Sequence, residues 1–481
     1  MITSHTADLI RVLPEIVLCA FGVLIMMLEP FVEAGHRKLL GWLAIVGVLA
    51  AGWATYRASL DPGTAFGGAV AADGFSFYFI YLFLLVGLLV ILGSMDYLER
   101  DRIQHGEFYA LVLLATVGMC FMAASTDLIM IFLGLEISSI STYILAGFRR
   151  RDRLSNEASL KYFLLGSFAT AFFLFGIAWV FGLTGTTNLV AAKTQLAAPS
   201  QWNSFAVVAL VLMFVGLAFK LSTVPFQIWT PDVYQGCPAP VSAFLSVGPK
   251  AAAFAVLLRV FLGSFTAAGV TSQILWVSAA LTMTVGNLAA LWQSNIKRLL
   301  AYSSIAHAGY ILVGLAARDA WGISAVMYYL VAYALMNVGA FILIAYLANT
   351  GERLVEIDDY RGLGAARPAV AACLTVIFLS LAGIPTTAGF LGKFYLFRAA
   401  IHSHLIGLTI IALLNSVVSV FFYLRVVVAM YMSEGKTETS TAVLPWPVRA
   451  VLVTSILGIF YLGLAPNVLV GLRFLAAPLP K

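Results

Sequence analysis

Charge is what this chain has least of. Of its 481 residues only 10% are Asp, Glu, Lys or Arg, while 62% are hydrophobic; ordinary soluble domains carry roughly 25% charged residues. That shortage excludes a soluble globular protein and indicates a membrane-embedded one. Cysteine is also sparse. Cys19, Cys120, Cys237 and Cys373 show no C-x-x-C spacing, so neither a disulfide framework nor a zinc or iron–sulfur site is supported. No G-x-G-x-x-G or G-x-x-x-x-G-K-S/T loop occurs, so neither dinucleotide nor nucleotide binding is indicated. The apolar runs lack the alternation of period two that a membrane barrel requires. The net charge of +6 is scattered in short clusters between apolar runs, which reads as membrane topology and not as a nucleic-acid surface. The first 31 residues lack a basic n-region and a small-residue cleavage site, so they are expected to be a retained first helix rather than a signal peptide.

What the chain has in abundance is long apolar runs. They fall near 8–28, 39–57, 74–95, 108–125, 127–147, 158–183, 203–234, 240–264, 273–293, 299–317, 321–348, 369–400, 404–431 and 449–472. Each matches the ~20 residues a helix needs to cross a bilayer, giving about fourteen spans in an all-α polytopic protein. Lys and Arg concentrate in alternate loops: Arg37 and Lys38, Arg100 and Arg102, the run at 149–153, Lys297 and Arg298, Arg353, Arg361 and Arg367, and Lys436. Placing these loops in the cytoplasm puts both termini on the outer side, which requires an even number of spans. The loop between the seventh and eighth runs belongs to the same side yet has no Lys or Arg.

The seventh and twelfth runs are about 30 residues long, and each is interrupted, at Pro225 and at Pro385. Proline removes a backbone donor and clashes with the preceding turn. Freed carbonyls are tolerated within a membrane only where they pack in protein or line a cavity. The two breaks lie five spans apart, so equivalent helices run in opposite directions, the pattern of an inverted repeat. The expected organisation is three N-terminal helices (1–106), a first five-helix repeat (107–265), a second inverted repeat (266–402, continuing to about 432) and a C-terminal helix (433–481).

Four ionisable residues sit deep in these runs: Glu136, Lys220, Lys250 and Lys393. Each costs roughly 2.5–3.5 kcal/mol at a helix centre, so they must be paired, hydrated or neutral. One reading is a structural ion pair, Glu136 with Lys220, locking two helices. One acid cannot neutralise three lysines, however. The other reading is a proton path: burial disfavours an ammonium and a nearby carboxylate restores it, so a moving partner switches a lysine between binding and releasing a proton. Ser138, Ser139, Ser141, Thr142, Ser222 and Thr223 flank these charges, either as packing residues or as holders of water. His307 is the one histidine deep in a run, so a haem held by two membrane histidines is disfavoured; it reads as a packing residue or as a relay. Beside Lys250, Pro249 is expected to free a carbonyl near Leu245, and Gly248 to leave room through which water reaches the ammonium. Arg259, Arg425 and Glu15 read as snorkelling residues, Lys161 as a helix start, and Asp232 as the cap of the half-helix after the first break. His402 and His404 read as interfacial, with no metal site.

The stretch "STVPFQIWTPDVYQGCPAPVSAFLSVGPKAAAF" at 222–254, with "NIKRLLAYSSIAHAGY" at 295–310 and "LGLEISSISTYILAGF", resembles the antiporter-like membrane subunits of respiratory complex I, the proton-pumping NADH:quinone oxidoreductase, and within them the subunit N branch. The resemblance covers nearly the whole chain. It implies fourteen helices with two inverted five-helix bundles, broken seventh and twelfth helices, and proton transfer along a midplane chain driven by redox chemistry elsewhere. Glu136 is then the acid paired with Lys220, Lys250 the central relay, and Lys393 the residue leading to the exit or the neighbouring subunit. It also implies no cofactor in this chain, with FMN, iron–sulfur clusters and quinone in partner subunits. Its implied neighbours are subunit M and the small subunits K and J within the lipid bilayer of a bacterial inner membrane. Gln227 and Gln235 stand where family members often carry histidine and an acid. A subunit of an Mrp-type cation/proton antiporter shares the same fold and charge chain.

Overall fold

The computed structural model describes residues 2–196, 204–264, 268–434, 443–465, 467–468 and 471–472. Lys436 and the segment 473–481, used above for topology and for the last helix, lie outside them. Helices dominate because hydrocarbon offers no partner for backbone N–H and C=O groups, and a helix satisfies them within its own segment. In chain order they are α1 (Ile2–Arg11), α2 (Leu13–Leu28), α3 (Lys38–Ser59), α4 (Gly74–Arg100), α5 (Gly106–Ala124), α6 (Leu128–Ala146), α7 (Arg153–Thr184), α8 (Leu189–Gln195), α9 (Ser204–Leu221), α10 (Trp229–Gly236), α11 (Ala239–Leu257), α12 (Ala268–Leu291), α13 (Ile296–Ala317), α14 (Ala320–Leu347), α15 (Leu363–Ala366), α16 (Pro368–Ala382), α17 (Ala388–His402), α18 (Ile406–Met432) and α19 (Trp446–Leu464). Among the described residues thirteen helical stretches are long and apolar enough to cross a membrane. The twelfth of the fourteen expected crossings is the one divided in two, between α16 and α17. A short hairpin, β1 (Gly63–Ala65) with β2 (Val70–Ala72), connects α3 to α4.

Both expected breaks are present. The first separates α9 from α10, with Ser222 at φ 61° and Pro225 in the connection. The second separates α16 from α17, with Gly383 at φ 89° and Pro385 in the connection. Carbonyls near each break find donors. At the first, the Trp229 indole donates to Phe219 O at 3.0 Å; at the second, the Lys393 ammonium donates to Ala382 O at 2.9 Å.

The inverted repeat is visible in backbone pairing. Asp127 pairs with Asn188, and Asn295 with Glu356, each as an isolated antiparallel bridge. The second pair lies 168 residues after the first at both positions (127 to 295, 188 to 356). The hydrogen bonds keep the same register: Leu128 N donates to Thr187 O and Ile296 N to Val355 O, while Leu189 N donates to Thr126 O and Ile357 N to Ser294 O. Helix crossings repeat it too. A Cβ added to Gly118 would lie 2.5 Å from both Gly134 O and Ser138 N, and one added to Gly286 would lie 2.7 Å from Ala306 N and 3.1 Å from Tyr302 O. Only glycine permits backbones this close, so α5 against α6 and α12 against α13 are the same joint built twice.

Several charges occupy other places than the sequence suggests. Arg259 does not snorkel: it is fully buried, forms an ion pair with Asp73 at 3.0 Å and donates to Ala123 O. Glu15 is likewise buried, at 2% exposure, because α2 packs its carboxyl against the bundle rather than toward an interface. Asp232 is not a cap. The half-helix α10 begins earlier, without a side-chain cap, and Asp232 instead pairs with Lys161 and Arg298, both at 2.7 Å. The basic residues missing from the loop between α10 and α11 are supplied from elsewhere. Lys297 donates to Gln235 O at 2.9 Å, to Cys237 O at 2.7 Å and to the Glu352 carboxylate at 2.6 Å. Glu352 also accepts from Ala239 N, at the start of α11, and from Tyr97. Arg149 lies 3.3 Å from the same carboxylate and 2.8 Å from Asp101. This buried cluster ties loops from both repeats to the end of α10 and the start of α11.

Burial opposes the ionised form of Glu352, but Lys297 and Arg149 outweigh it and hold the carboxyl below the ordinary carboxylate range. The folded chain therefore releases this proton more readily than the unfolded one. Its stabilising contribution is present at neutral pH and is lost as pH falls below about 4.5, through the folded-state value. Glu352→Gln leaves Lys297 buried without its carboxylate and is expected to destabilise the protein by about 3–5 kcal/mol. Acid and thermal unfolding in detergent check both points: the variant should start less stable and lack this part of the wild-type loss below pH 4.5.

Candidate functional site

The three midplane lysines are almost fully buried, Lys220 at 4% and Lys250 and Lys393 at 3% exposure. Each is held differently. Lys220 closes the first half of the broken seventh crossing, where its ammonium faces the rings of Tyr162 at 4.9 Å and Tyr143 at 5.0 Å. Its one hydrogen bond goes to Tyr162 Oη at 3.4 Å. Aromatic faces stabilise a cation by their quadrupole once water is excluded. Lys250, on α11, donates to Ser304 Oγ at 2.5 Å and to Ser304 O at 3.3 Å, with the Tyr234 ring 5.7 Å away. Lys393, on α17, donates to Ala382 O and to Ser416 Oγ, at 2.9 and 3.0 Å, and stands 4.8 Å above the Tyr310 ring.

Glu136 lies in coulombic reach of Lys220, but among the described residues no ion pair within 4.0 Å joins them. Glu136 Oε1 is buried with no hydrogen-bond partner. The expected Glu136–Lys220 ion pair is therefore open, and the tyrosine rings hold the ammonium instead.

One stripe of α13 connects the second and third lysines. Ser304, His307 and Tyr310 recur every three residues and so share a face, spanning about 9 Å along the helix axis. Ser304 meets Lys250 at one end and Tyr310 meets Lys393 at the other. Between them His307, at 2% exposure, has Nδ1 2.6 Å from Tyr329 Oη and Nε2 3.0 Å from Tyr423 Oη. A neutral imidazole donates through one nitrogen and accepts through the other, so the ring bridges the two phenols. Tyr423 Oη in turn pairs with Ser303 Oγ. Such a bridge can transfer a proton by exchanging donor and acceptor roles.

Gly248 does not leave room for water beside Lys250. A Cβ placed there would already lie 3.0 Å from Met119 Sδ, so that space is filled by α5. Pro249 sits within the continuous helix α11, and neither residue opens a path. His402 lies 3.3 Å from Asp319, and among the described residues no cluster of three or more His, Cys, Asp and Glu side chains is placed to hold a metal. Gln235 accepts from Arg298 at 3.0 Å, while Gln227 Oε1 has no hydrogen-bond partner.

The sequence reading missed the tyrosines. Tyr143, Tyr162, Tyr234, Tyr310, Tyr329 and Tyr423 surround the lysines and the histidine, yet a tyrosine in an apolar run carries no charge to mark it. The spacing of three in "SSIAHAGY" was the available signal, since it sets Ser304, His307 and Tyr310 on one face. Tyr423→Phe removes the partner of both His307 Nε2 and Ser303 Oγ, which strands buried polar atoms at about 1–3 kcal/mol. Thermal unfolding in detergent is expected to show that loss, and an unchanged midpoint would mean the phenol bonds neither group.

A family model described as NADH:quinone oxidoreductase/Mrp antiporter, TM, matches residues 125–421. The chain is 48% identical over 462 residues to NADH-quinone oxidoreductase subunit N 1 of Solibacter usitatus, covering 96% of this chain and 95% of the relative. It is 45% identical over 469 residues to NADH-quinone oxidoreductase subunit N of Trichlorobacter lovleyi, covering 97% and 96%. Among solved structures, a chain of respiratory complex I from Thermus thermophilus superposes with a TM-score of 0.82 at 36% identity, covering 95% of this chain and 98% of that one. A chain of the Mrp complex from Dietzia superposes with a TM-score of 0.84 at 21% identity, covering 97% of each; that likeness concerns the fold alone.

Proposed function

Because the chain belongs to the NADH:quinone oxidoreductase/Mrp antiporter family, with subunit N of NADH-quinone oxidoreductase as its matching branch, we infer that it is a proton-translocating membrane subunit of that complex, moving protons along Glu136, Lys220, Lys250, His307 and Lys393. The observation that carries this reading is the burial of three lysines, each held by hydroxyls, carbonyls or aromatic faces and none by an ion pair. A lysine locked by a carboxylate keeps its proton. One held by neutral groups releases it when its surroundings shift.

In this reading a change arriving from the rest of the complex alters the separation of Glu136 and Lys220. Approach of the carboxylate favours the charged lysine, and retreat favours release. The proton passes to Lys250, then along the Ser304–His307–Tyr310 face to Lys393 and outward. The breaks beside Lys220 and Lys393 supply polar backbone at those two points. This chain's residues bind and transfer protons only; FMN, iron–sulfur clusters and quinone are assigned to partner subunits. Subunit M, K and J neighbours are expected around it in the bacterial inner membrane. Both termini face the periplasm, and the domain limits are those set out from the sequence. A subunit of an Mrp-type antiporter has the same fold, but the high-identity relatives over nearly the full chain favour NADH-quinone oxidoreductase.

Lys220→Ala and Glu136→Ala are expected to slow proton transfer through the subunit by roughly 10²-fold while the complex still assembles. Proton uptake measured in vesicles during NADH oxidation provides the check, and full pumping by an assembled variant would overturn the reading.

A further inference from the structure

The 168-residue register that relates the two repeats assigns every midplane position a counterpart. The bridges at 127 and 295 and the crossings at Gly118 and Gly286 fix it at both ends of the helix pair. Carried along α6 and α13, the register sets Ser304 opposite Glu136, His307 opposite Ser139, and Tyr310 opposite Thr142. The two helices therefore present the same stripe with different chemistry. Where the first repeat carries a carboxylate, the second carries the hydroxyl that touches Lys250.

From this correspondence, and resting on the proton-transfer reading above, we propose that Ser304 is the group that takes the proton from Lys250, and that its being neutral is what keeps Lys250 able to give it up. The transfer balances. An N–H bond of the ammonium breaks as a bond forms to Ser304 Oγ, and the hydroxyl's original proton leaves toward the next acceptor on the same face. Ser304 ends as it began, uncharged, and the charge has moved on from Lys250. The next groups are Tyr333 of α14, whose phenol faces Ser304, and His307 one turn along α13.

The surroundings of Lys250 make this serine decisive. Its ammonium is 3% exposed, and Ser304 supplies both of its hydrogen bonds. The titratable groups facing the pair are Tyr234 of α10, Tyr333 of α14 and His307 of α13. From α5, the side chain beside Gly248 is that of Met119. Among the described residues, no carboxylate of α4, α5, α6, α9 or α14 forms an ion pair with Lys250. Placing one at position 304 would recreate the first repeat's acid in contact with the lysine.

Three variants in the assembled complex, reconstituted in vesicles, test this. Ser304→Ala removes the acceptor with little steric change and is expected to slow proton pumping by roughly 10²-fold. Ser304→Thr keeps the hydroxyl and is expected to pump close to the wild-type rate. Ser304→Asp sets a carboxylate beside the ammonium, favours its charged form, and should move the pH profile of pumping to the alkaline side by about one unit or more. Wild-type pumping by an assembled Ser304→Ala variant, or an unshifted profile for Ser304→Asp, overturns the proposal. If Ser304→Thr pumps as poorly as Ser304→Ala, shape rather than the hydroxyl is what matters, and the proposal also fails. Lys250→Met serves as the reference: if it pumps normally the midplane reading itself falls, whereas its failure beside a normal Ser304→Ala variant removes the serine's role alone.

Discussion

Hydrocarbon solvates neither an ammonium group nor an unpaired carbonyl, and this architecture follows from having to supply both needs from within. The clearest case is the contact between Lys393 and Ala382 O. The break in the twelfth crossing frees polar backbone, and a buried lysine lacks acceptors. Each resolves the other's deficit, since a charged donor makes the stronger kind of hydrogen bond. The first break is resolved by an indole instead, which leaves Lys220 to the tyrosine rings. The two halves thus meet the same constraint with different chemistry.

That difference matters for what the bundle does. An ion pair in a low dielectric is rigid and hard to separate. Hydroxyls, ring faces and carbonyls hold a cation with less commitment, and several of them lie within reach of one another along α13. The midplane is therefore a row of sites similar in kind, which suits transfer better than storage. The full ion pairs gather elsewhere, around Glu352 and Asp232, where they fasten α10 and the start of α11 and leave the lysines unpaired.

The fold was largely legible because its main signal is composition. Long apolar runs, prolines within two of them and alternating basic loops specify fourteen crossings with two breaks. The four midplane charges were equally plain, since a charge in an apolar run has few innocent explanations. Their partners were not legible. Ser304 and Tyr423 have no property in isolation that distinguishes them from packing residues, and only tertiary proximity gives them a role. Pairings were misjudged where depth was inferred from distance to a helix end: Arg259 and Glu15 lie near helix termini, but neighbouring helices cover them. Gly248 misled in the opposite way, because absence of a side chain was read as space when Met119 occupies it. The register of 168 residues was present in the numbering, but it carries little residue identity and emerges from backbone pairing.

The cluster around Glu352 draws its members from segments far apart in the chain: Tyr97, Asp101, Arg149, Lys297 and Glu352. Synthesis proceeds from the N-terminus, so Arg149 and the α10–α11 loop enter the membrane well before residue 352 exists. Until then Lys297 has carbonyls but no carboxylate, and the start of α11 has no acceptor from Glu352. The first repeat is thus inserted in an unfinished state and is locked only when the loop after α14 arrives. Maturation of this protein is timed by its second half, which makes the C-terminal repeat an internal chaperone for the N-terminal one.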